Sequence, residues 1–339
     1  MSTKPVSAPT NPTNPVTDPN QASAGLMRLI RGRWTLIAPI VVLLALLIAF
    51  TIMDPRFFQY ENFLNILRQS SVLLVLAMAS TVVILMGSID LSVGSVLSLS
   101  AFAGALLVQS TGTTAVLLLL PFVGLVCGLF NGALVALGKL PSFLVTLGTL
   151  YAFDGLSKYI SGGRPVSLKP GGVGDIFTGS IGGFPVVVLW ALLVLVISIL
   201  VARYTRFGRY LYAIGGNEKT TRLSGVPVTR YKVYAFMIAG LLAGFAGLLQ
   251  LARARSASPD MGAEFLLPAI AAVVMGGTPL SGGIGGPART VIGVLIIAIL
   301  GNGMIIASVN PYLQSVVQGL VVIAAVALTM DRKKMTLVK

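Results

Sequence analysis

Side chains able to do acid–base, redox or metal chemistry are few in this chain and widely spaced. The sequence has no histidine, one cysteine and ten carboxylates among its 339 residues. Only one carboxylate, Asp154, falls clearly inside a long apolar stretch, and Lys158 follows it at a spacing that lets both side chains share one helix face. A relay of protons therefore lacks the series of groups it needs, and we predict no catalytic residues and no metal site.

Amide side chains within the apolar stretches are better candidates for binding. An amide offers two donors and one acceptor, which match the hydroxyl groups of a sugar, and it is costly to place against lipid. The alternative is that each amide bonds neighbouring helices together. The candidates are Asn131, Asn302, Gln314 and Gln318, with Phe143 as a candidate for a hydrophobic gate on the same path.

Composition explains why reactive groups are scarce. Apolar residues make up 55% of the chain and charged residues only 10%, with a mean hydropathy of +0.92, whereas a soluble domain has about 25% charged residues. Apolar runs of about 17 to 25 residues recur along the sequence, which is the length that crosses a bilayer as a helix. We therefore predict an all-α, polytopic transmembrane helical bundle rather than a β-barrel, whose strands would alternate polar and apolar residues.

About ten spans are predicted, and the eighth is too short to cross a bilayer unaided because Gly276 and Gly277 interrupt it. The first span has no small-residue cleavage site after it, so we expect it to stay in the membrane as an anchor. The predicted spans cover residues 35–53, 66–86, 89–108, 114–137, 140–160, 184–202, 233–252, 264–275, 290–308 and 312–329.

The charge distribution predicts the orientation of the bundle. With a cytoplasmic N-terminus, most Lys and Arg residues fall in cytoplasmic segments, as the positive-inside rule requires. The chain then has a disordered cytoplasmic tail over residues 1–30, a transmembrane domain over residues 31–330 and a second cytoplasmic tail over residues 331–339. Topology explains much of the net charge of +14, and because basic and aromatic residues do not alternate, no nucleic-acid partner is predicted.

The stretch GSIDLSVG predicts a break between two helices. Gly87 permits a tight turn, and Ser88 and Asp90 can cap a helix that starts at Leu91. Structural capping is one interpretation of these residues. The other is that the broken end faces a path through the membrane, with the hydroxyl of Ser92 beside it, since irregular backbone is tolerated there only where protein or water satisfies it.

A second stretch is similar to the first, because VVILMGSIDLSVG and AAVVMGGTPLSGG each end an apolar run with Met-Gly. This similarity predicts an internal repeat that places two broken or re-entrant elements around a central path. The later glycines do not form a dinucleotide-binding loop, because membrane spans rather than a βαβ unit flank them. No GxxxxGK[ST] motif occurs, so we expect the chain to carry no cofactor and not to hydrolyse ATP itself.

The longest polar segment between predicted spans covers residues 203–232 and is rich in Lys and Arg. Within it Asn217 can act as an N-cap, Glu218 lies in the first turn, and Gly225 before a Val-Pro pair ends the helix. We predict a short helix over residues 218–224 that lies across the cytoplasmic face. A solvated loop whose charges only fix the topology is the alternative.

Four separate motifs resemble the membrane permeases of ATP-binding-cassette importers, in particular those of the ribose, xylose and galactose type. GGNEKTTRLSGVPV resembles their cytoplasmic coupling loop, and the other three are MGSIDLSVGSVLSLSAF, LPSFLVTLGTL and VVMGGTPLSGGIGG. One departure follows Glu218, where the family usually has Ala and this chain has Lys219, Thr220 and Thr221.

The resemblance implies a homodimer that forms the translocation pathway for a monosaccharide in the bacterial inner membrane. A cytoplasmic tandem-cassette ATPase would bind ATP and Mg, and a periplasmic sugar-binding protein would deliver the substrate. Two alternatives stay open, namely an ion-coupled secondary transporter and a similar importer for a nucleoside or a furanosyl signalling molecule. The short helix would dock into a cleft of the ATPase through Gly216, Asn217, Glu218, Arg222, Leu223, Ser224 and Gly225.

Overall fold

The computed structural model describes residues 37–168 and 174–329, and those from Pro39 onward form one compact unit. The described residues contain thirteen α-helices, two 3-10 helices (Pro55–Phe58 and Thr114–Leu119) and four two-residue strands. The α-helices are α1 (Ile37–Met53), α2 (Tyr60–Leu85), α3 (Val93–Thr111), α4 (Leu120–Ala136), α5 (Ser142–Ser161), α6 (Asp175–Thr178), α7 (Val186–Tyr204), α8 (Arg206–Gly216), α9 (Glu218–Leu223), α10 (Val228–Ala254), α11 (Ala263–Met275), α12 (Pro287–Ile306) and α13 (Pro311–Thr329).

The prediction of an all-α membrane bundle is confirmed. Each of the ten predicted spans coincides with one helix, namely α1 to α5, α7 and α10 to α13. Six are long and apolar enough to cross a membrane: α2, α3, α4 with its preceding 3-10 helix, α7, α10 and α12. The helices α1 and α11 are apolar but shorter, as is the apolar stretch Pro311–Ala327 of α13. The four strands form two small antiparallel pairs, β1 (Val166–Ser167) with β4 (Ser256–Ala257) and β2 (Ser180–Ile181) with β3 (Phe184–Pro185).

Some boundaries differ from the predicted ones by more than a turn. The helix α2 begins at Tyr60 rather than at residue 66, and α10 begins at Val228 rather than at residue 233. Polar residues at these ends continue the helical hydrogen bonds, although they are too polar to count as part of an apolar span. The sequence also does not predict α8, which occupies part of the polar segment. The two predicted tails, residues 1–30 and 331–339, lie outside the described residues.

The helices α2 and α7 differ most in their surroundings. Every residue of α2 from Ser70 to Leu85 is buried, and Thr81 shares a 3.0 Å hydrogen bond with Thr290 of α12. In contrast, one face of α7 exposes large apolar side chains, which fits contact with lipid tails or with an apolar partner. These side chains are Leu189, Leu192, Leu193, Val196, Ile197 and Leu200.

Glycines bring the backbones of α4 and α10 into direct contact. A Cβ at Gly124 of α4 would lie 2.1 Å from the carbonyl oxygen of Gly240 in α10, and one at Gly240 would lie 2.2 Å from the carbonyl oxygen of Gly124. The same holds one turn later, where a Cβ at Gly128 would lie 2.2 Å from the carbonyl oxygen of Phe236. Small residues at such spacing let membrane helices approach closely, since van der Waals packing drives their association.

Two polar contacts join α3 and α5 to the segment that precedes α11. The backbone N–H of Gly262 donates to Ser98 Oγ of α3 at 2.9 Å. At the end of α5, Lys158 Nζ lies 2.9 Å from a carboxylate oxygen of Asp154 and 2.9 Å from one of Asp260. The predicted pair of Asp154 and Lys158 is therefore present, and a second acid that is distant in the sequence extends it.

We predict that Gly128→Ala destabilises the bundle, because the new methyl group overlaps the backbone of α10. Overpacking of this kind costs about 1 to 3 kcal/mol, so the apparent melting temperature in detergent, followed by tryptophan fluorescence, should fall. The matched control is Gly148→Ala in α5, where a Cβ would meet nothing within 4 Å and where alanine favours the helix by about 1 kcal/mol. Equal melting temperatures for the two variants would contradict the packing argument.

Candidate functional site

The short helix α9 forms by the local rules that the sequence predicts. The backbone of Asn217 is extended, and its side-chain oxygen accepts a hydrogen bond from the backbone N–H of Thr220 at 3.0 Å. Gly225 has a φ of +83°, a conformation that glycine adopts without strain. The helix ends at Leu223, one residue before the predicted end, with Ser224 at its C-cap.

Glu218 ties α9 to α10. Its carboxylate accepts hydrogen bonds from Arg222, one turn along at 2.9 Å, and from Lys232 of α10 at 2.7 Å. Burial by itself raises the pKa of Glu218, but the two cationic partners outweigh it, Lys232 first, and the pKa is held below its usual value. The carboxylate therefore stays charged near neutral pH and is occupied within its own chain.

The outward face of α9 is available to a partner. Leu223 is 80% exposed, and Asn217, Arg222 and Ser224 are also exposed. An exposed leucine beside basic and polar groups at the tip of a capped helix is a feature that a solvated topology loop does not need.

Thr221 fastens α9 to α8. Its hydroxyl is buried and lies 2.8 Å from the carbonyl oxygens of both Ala213 and Asn217. Only Asn217 separates the two helices, so α8 and α9 form one unit, which we call the α8–α9 unit. The departure from the family pattern at Thr221 thus has a structural role in this chain.

The sequence contains a signal for α8 that its polarity conceals. Thr205 caps the helix by accepting from the backbone N–H of Gly208 at 3.2 Å. Leu211 and Ile214 are buried at the helical spacing and Phe207 is half-buried, while Arg206 and Arg209 are exposed. A period-3.6 pattern with a threonine cap would have identified an amphipathic helix in this segment.

Two broken elements meet beside the end of α8, as the predicted repeat requires. We call residues 86–92 the α2–α3 segment and residues 276–286 the glycine-rich turn. Gly87 and Gly277 each donate an N–H to the carbonyl three residues back at 2.9 Å, and Ser88 and Thr278 each donate to the carbonyl five residues back. Both helix ends therefore adopt the same C-terminal motif. In this motif Gly87 corresponds to Gly277, whereas the shared Met-Gly pair aligns Gly87 with Gly276.

Three candidate residues form a buried hydrogen-bonded network. Asp90 Oδ1 accepts from both the N–H and the hydroxyl of Ser92, at 2.8 and 2.6 Å, and Asn131 Nδ2 of α4 donates to Ser92 Oγ at 2.8 Å. The prediction that Asp90 caps a helix starting at Leu91 is wrong in its boundary, because α3 begins at Val93. Asp90 instead binds Ser92 just before the helix, which leaves the α2–α3 segment without regular secondary structure.

The helix α5 holds the other side of the α2–α3 segment. The backbone N–H of Ile89 donates to Ser142 Oγ at 3.2 Å. The hydroxyl of Thr146 lies 3.2 Å from the carbonyl oxygen of Ile89 and 2.9 Å from that of Ser142, which share its one proton. Ser88 is buried beside them, whereas Phe143, the neighbour of Ser142, is exposed. The segment is thus anchored by polar contacts to α4 and α5.

The remaining candidates lie on α12 and α13, apart from this network. Asn302 is buried on α12, Gln314 donates to the carbonyl oxygen of Val309 at 2.8 Å, and Gln318 is half-buried. Within the part of the chain that the structure describes, the amide oxygens of Asn131 and Asn302 have no hydrogen-bond partner. Both oxygens are buried from solvent, so a solute hydroxyl would reach them only after the surrounding helices separate.

A separate cavity of about 450 Å³ lies beside α7, α8 and α10. Its lining is almost wholly apolar and includes Trp190, Leu193, Ile197, Leu242 and Phe245. A site for a hydroxylated solute needs several convergent hydrogen-bonding groups, so this cavity is unsuited to a sugar.

Comparisons with known proteins extend over most of the chain. Residues 62–326 match the family model described as branched-chain amino acid transport system / permease component. The ribose import permease protein RbsC of Bacillus subtilis (strain 168) is 41% identical over 305 residues, which are 88% of this chain and 93% of that protein.

Two relatives from Haemophilus influenzae match a similar share of the chain. Its ribose import permease protein RbsC is 39% identical over 293 residues, 84% of this chain and 90% of that protein. Its galactose/methyl galactoside import permease protein MglC is 33% identical over 313 residues, 85% of this chain and 91% of that protein. No solved structure matches the chain significantly.

We predict that Ser92→Ala destabilises the fold, because it removes the hydroxyl that donates to Asp90 and accepts from Asn131, and leaves Asp90 only the backbone N–H of residue 92. Leaving a buried polar group unsatisfied costs about 1 to 3 kcal/mol, which a thermal melt in detergent would detect. Ser110→Ala is the matched control, since this exposed hydroxyl donates only within its own helix.

The double variant Ser92→Ala/Asn131→Ala tests whether the two residues act together. The double variant should lose less stability than the two single variants lose in sum, by about 0.5 kcal/mol or more. Simple additivity would show that the two residues are not coupled.

Proposed function

The chain belongs to the branched-chain amino acid transport system / permease component family, and on that premise we propose that it forms the translocation pathway of an ATP-binding-cassette importer for a monosaccharide. Its membership confirms the resemblance predicted from the four motifs, and the chain is a multi-pass membrane protein. The observation that carries the sugar assignment is the match to permeases named for ribose and galactose over at least 90% of their length.

The energy for transport comes from a separate cytoplasmic ATPase of tandem-cassette type, which binds ATP and Mg. This ATPase docks on α9, and its closure on ATP moves the α8–α9 unit. The capped, exposed tip of α9 supports this role, because Leu223 offers an apolar contact and Arg222 a basic one. Coupling requires one part of the protein with two arrangements, whose equilibrium is shifted both by the ATPase and by the substrate in its path.

The substrate crosses between two copies of this chain in the bacterial inner membrane, with both termini on the cytoplasmic side. A periplasmic sugar-binding protein delivers it, so the path itself needs only weak, transient contacts. The buried amide oxygens of Asn131 and Asn302, which have no partner within the described residues, support a path that offers acceptors to hydroxyl groups once the helices around them separate.

The experiment is reconstitution of the chain in liposomes with the ATPase that copurifies with it and with its cognate binding protein. Uptake of labelled ribose or galactose should require the ATPase, the binding protein and ATP. Uptake by the chain alone on a sodium or proton gradient would overturn the proposal in favour of a secondary transporter. ATP-driven uptake of a labelled nucleoside or furanosyl compound, without uptake of labelled ribose or galactose, would overturn the sugar assignment.

We predict that Gly225→Pro uncouples ATP hydrolysis from uptake. Proline fixes φ near −65°, whereas Gly225 requires +83° and donates its N–H to Arg222, so the end of α9 must rearrange. Glu218→Lys should have the same effect, since it sets a third cation against Arg222 and Lys232. The measurement is sugar transported per ATP hydrolysed in the reconstituted importer.

The control is Gly112→Pro at the end of α3. Gly112 also has a positive φ of +70°, also donates its N–H to the preceding turn and also has no atom near its missing Cβ. This variant carries the same local strain away from α9. If both proline variants lower the transport ratio equally, the effect of Gly225→Pro is general destabilisation and α9 is not the coupling element.

A further inference from the structure

Gly215, the penultimate residue of α8, has no space for a side chain. A Cβ at this position would lie 2.1 Å from the carbonyl oxygen of Leu85, at the end of α2, and 2.4 Å from the backbone nitrogen of Gly283. Those two groups are themselves hydrogen-bonded, because Gly283 N–H donates to the Leu85 oxygen at 2.9 Å. The end of α8 therefore rests on the bond that joins α2 to the glycine-rich turn.

The glycine-rich turn contributes two glycines in the left-handed region of backbone conformation to this contact. A Cβ at Gly282, whose φ is +75°, would lie 2.5 Å from the backbone nitrogen of Gly87. A Cβ at Gly283, whose φ is +79°, would lie 2.8 Å from the backbone nitrogen of Gly216. Three chain segments thus touch backbone to backbone, and such a contact cannot yield through a change of rotamer.

The side of α8 that faces the glycine-rich turn is also fastened to it. Tyr212 donates its hydroxyl to the carbonyl oxygen of Gly285 at 3.0 Å. Burial raises the pKa of Tyr212, so the phenol stays protonated and remains a donor. Because Thr221 joins α9 to α8, displacement of α9 carries the Gly215 contact with it.

The contact at Gly215 leads directly to the buried polar network. Only two residues separate Gly87 from Asp90, and the hydrogen bonds of Ile89 and Ser92 attach this stretch to α5 and α4. Leu85 and Gly87 are thereby connected to two membrane helices over a short length of chain.

We infer that Gly215 is a positioning residue through which the α8–α9 unit bears on both broken elements, so that displacement of α9 shifts the α2–α3 segment and the glycine-rich turn together. The inference deepens the proposed function, on which it rests, by naming the point at which force from the ATPase reaches the substrate path. It differs from general coupling by α9 because it assigns the transfer to backbone contact at one residue.

The test is Gly215→Ala in the reconstituted importer, with sugar transported per ATP hydrolysed as the readout. The added methyl group holds α8 away from Leu85 and Gly283, so the ratio should fall about fivefold or more, within the usual range of coupling between sites. ATPase activity should persist, because α9 itself is unchanged. A purely structural defect would lower the amount of folded importer. The sugar transported per ATP hydrolysed by the remaining folded importer would not change.

Gly155→Ala is the matched control, since Gly155 lies within α5 and a Cβ there would meet nothing within 4 Å. Its ratio should equal that of the unmodified chain. An unchanged ratio in folded Gly215→Ala would overturn the inference while leaving the proposed function intact. Failure of the unmodified chain to take up sugar with ATP would instead overturn the proposed function.

A milder variant keeps the test decisive if Gly215→Ala does not fold. Tyr212→Phe removes only the hydrogen bond to Gly285 and keeps the ring in place. Its ratio should fall about threefold, a smaller coupling loss than that of the alanine variant. A ratio equal to that of Gly155→Ala would overturn the inference.

Discussion

Inside a bilayer no water is present to satisfy the backbone, and an apolar side chain gains nothing by leaving lipid for another helix. Helices in such a medium associate by close approach, and in this chain close approach occurs at glycine. The contact of Gly124 with Gly240 joins α4 to α10 along their length. The contact of Gly215 with Leu85 and Gly283 joins the α8–α9 unit to the two broken elements. The same constraint therefore supports the bundle and connects its surface to its interior.

The absence of water in the bilayer also explains why the polar network lies at the end of α2. Where α2 ends, the chain leaves helical geometry, and its backbone groups need partners that lipid cannot supply. Ser142 and Thr146 supply them at Ile89, and Asp90 supplies one at Ser92. The result is an irregular segment that is anchored at Ile89 and Ser92 and has few helical hydrogen bonds of its own. An element of this kind suits a transition between two packed arrangements.

The sequence predicts features that depend on local chemistry or on length. The ten helices follow from apolar runs, and α9 follows from Asn217 at one end and Gly225 at the other. The amphipathic α8 is not predicted, because its arginines conceal the helical period of its apolar residues. The contact between Leu85 and Gly215 could not be predicted, since it joins residues that are far apart in the sequence and involves no side chain. The pairing of Ser92 with Asn131 is equally non-local. The roles of the candidate residues in transport stay predictions.

The different burial of α2 and α7 predicts different rates of sequence change in the two helices. Nearly every position of α2 after its first turns is enclosed, so each side chain there must match the shape of its neighbours. The outward face of α7 is apolar and exposed, so within one chain its side chains are not held to a particular shape. Exchanges among leucine, isoleucine and valine on that face should be almost neutral, and drift should accumulate there first. The sequence of α2 should change most slowly.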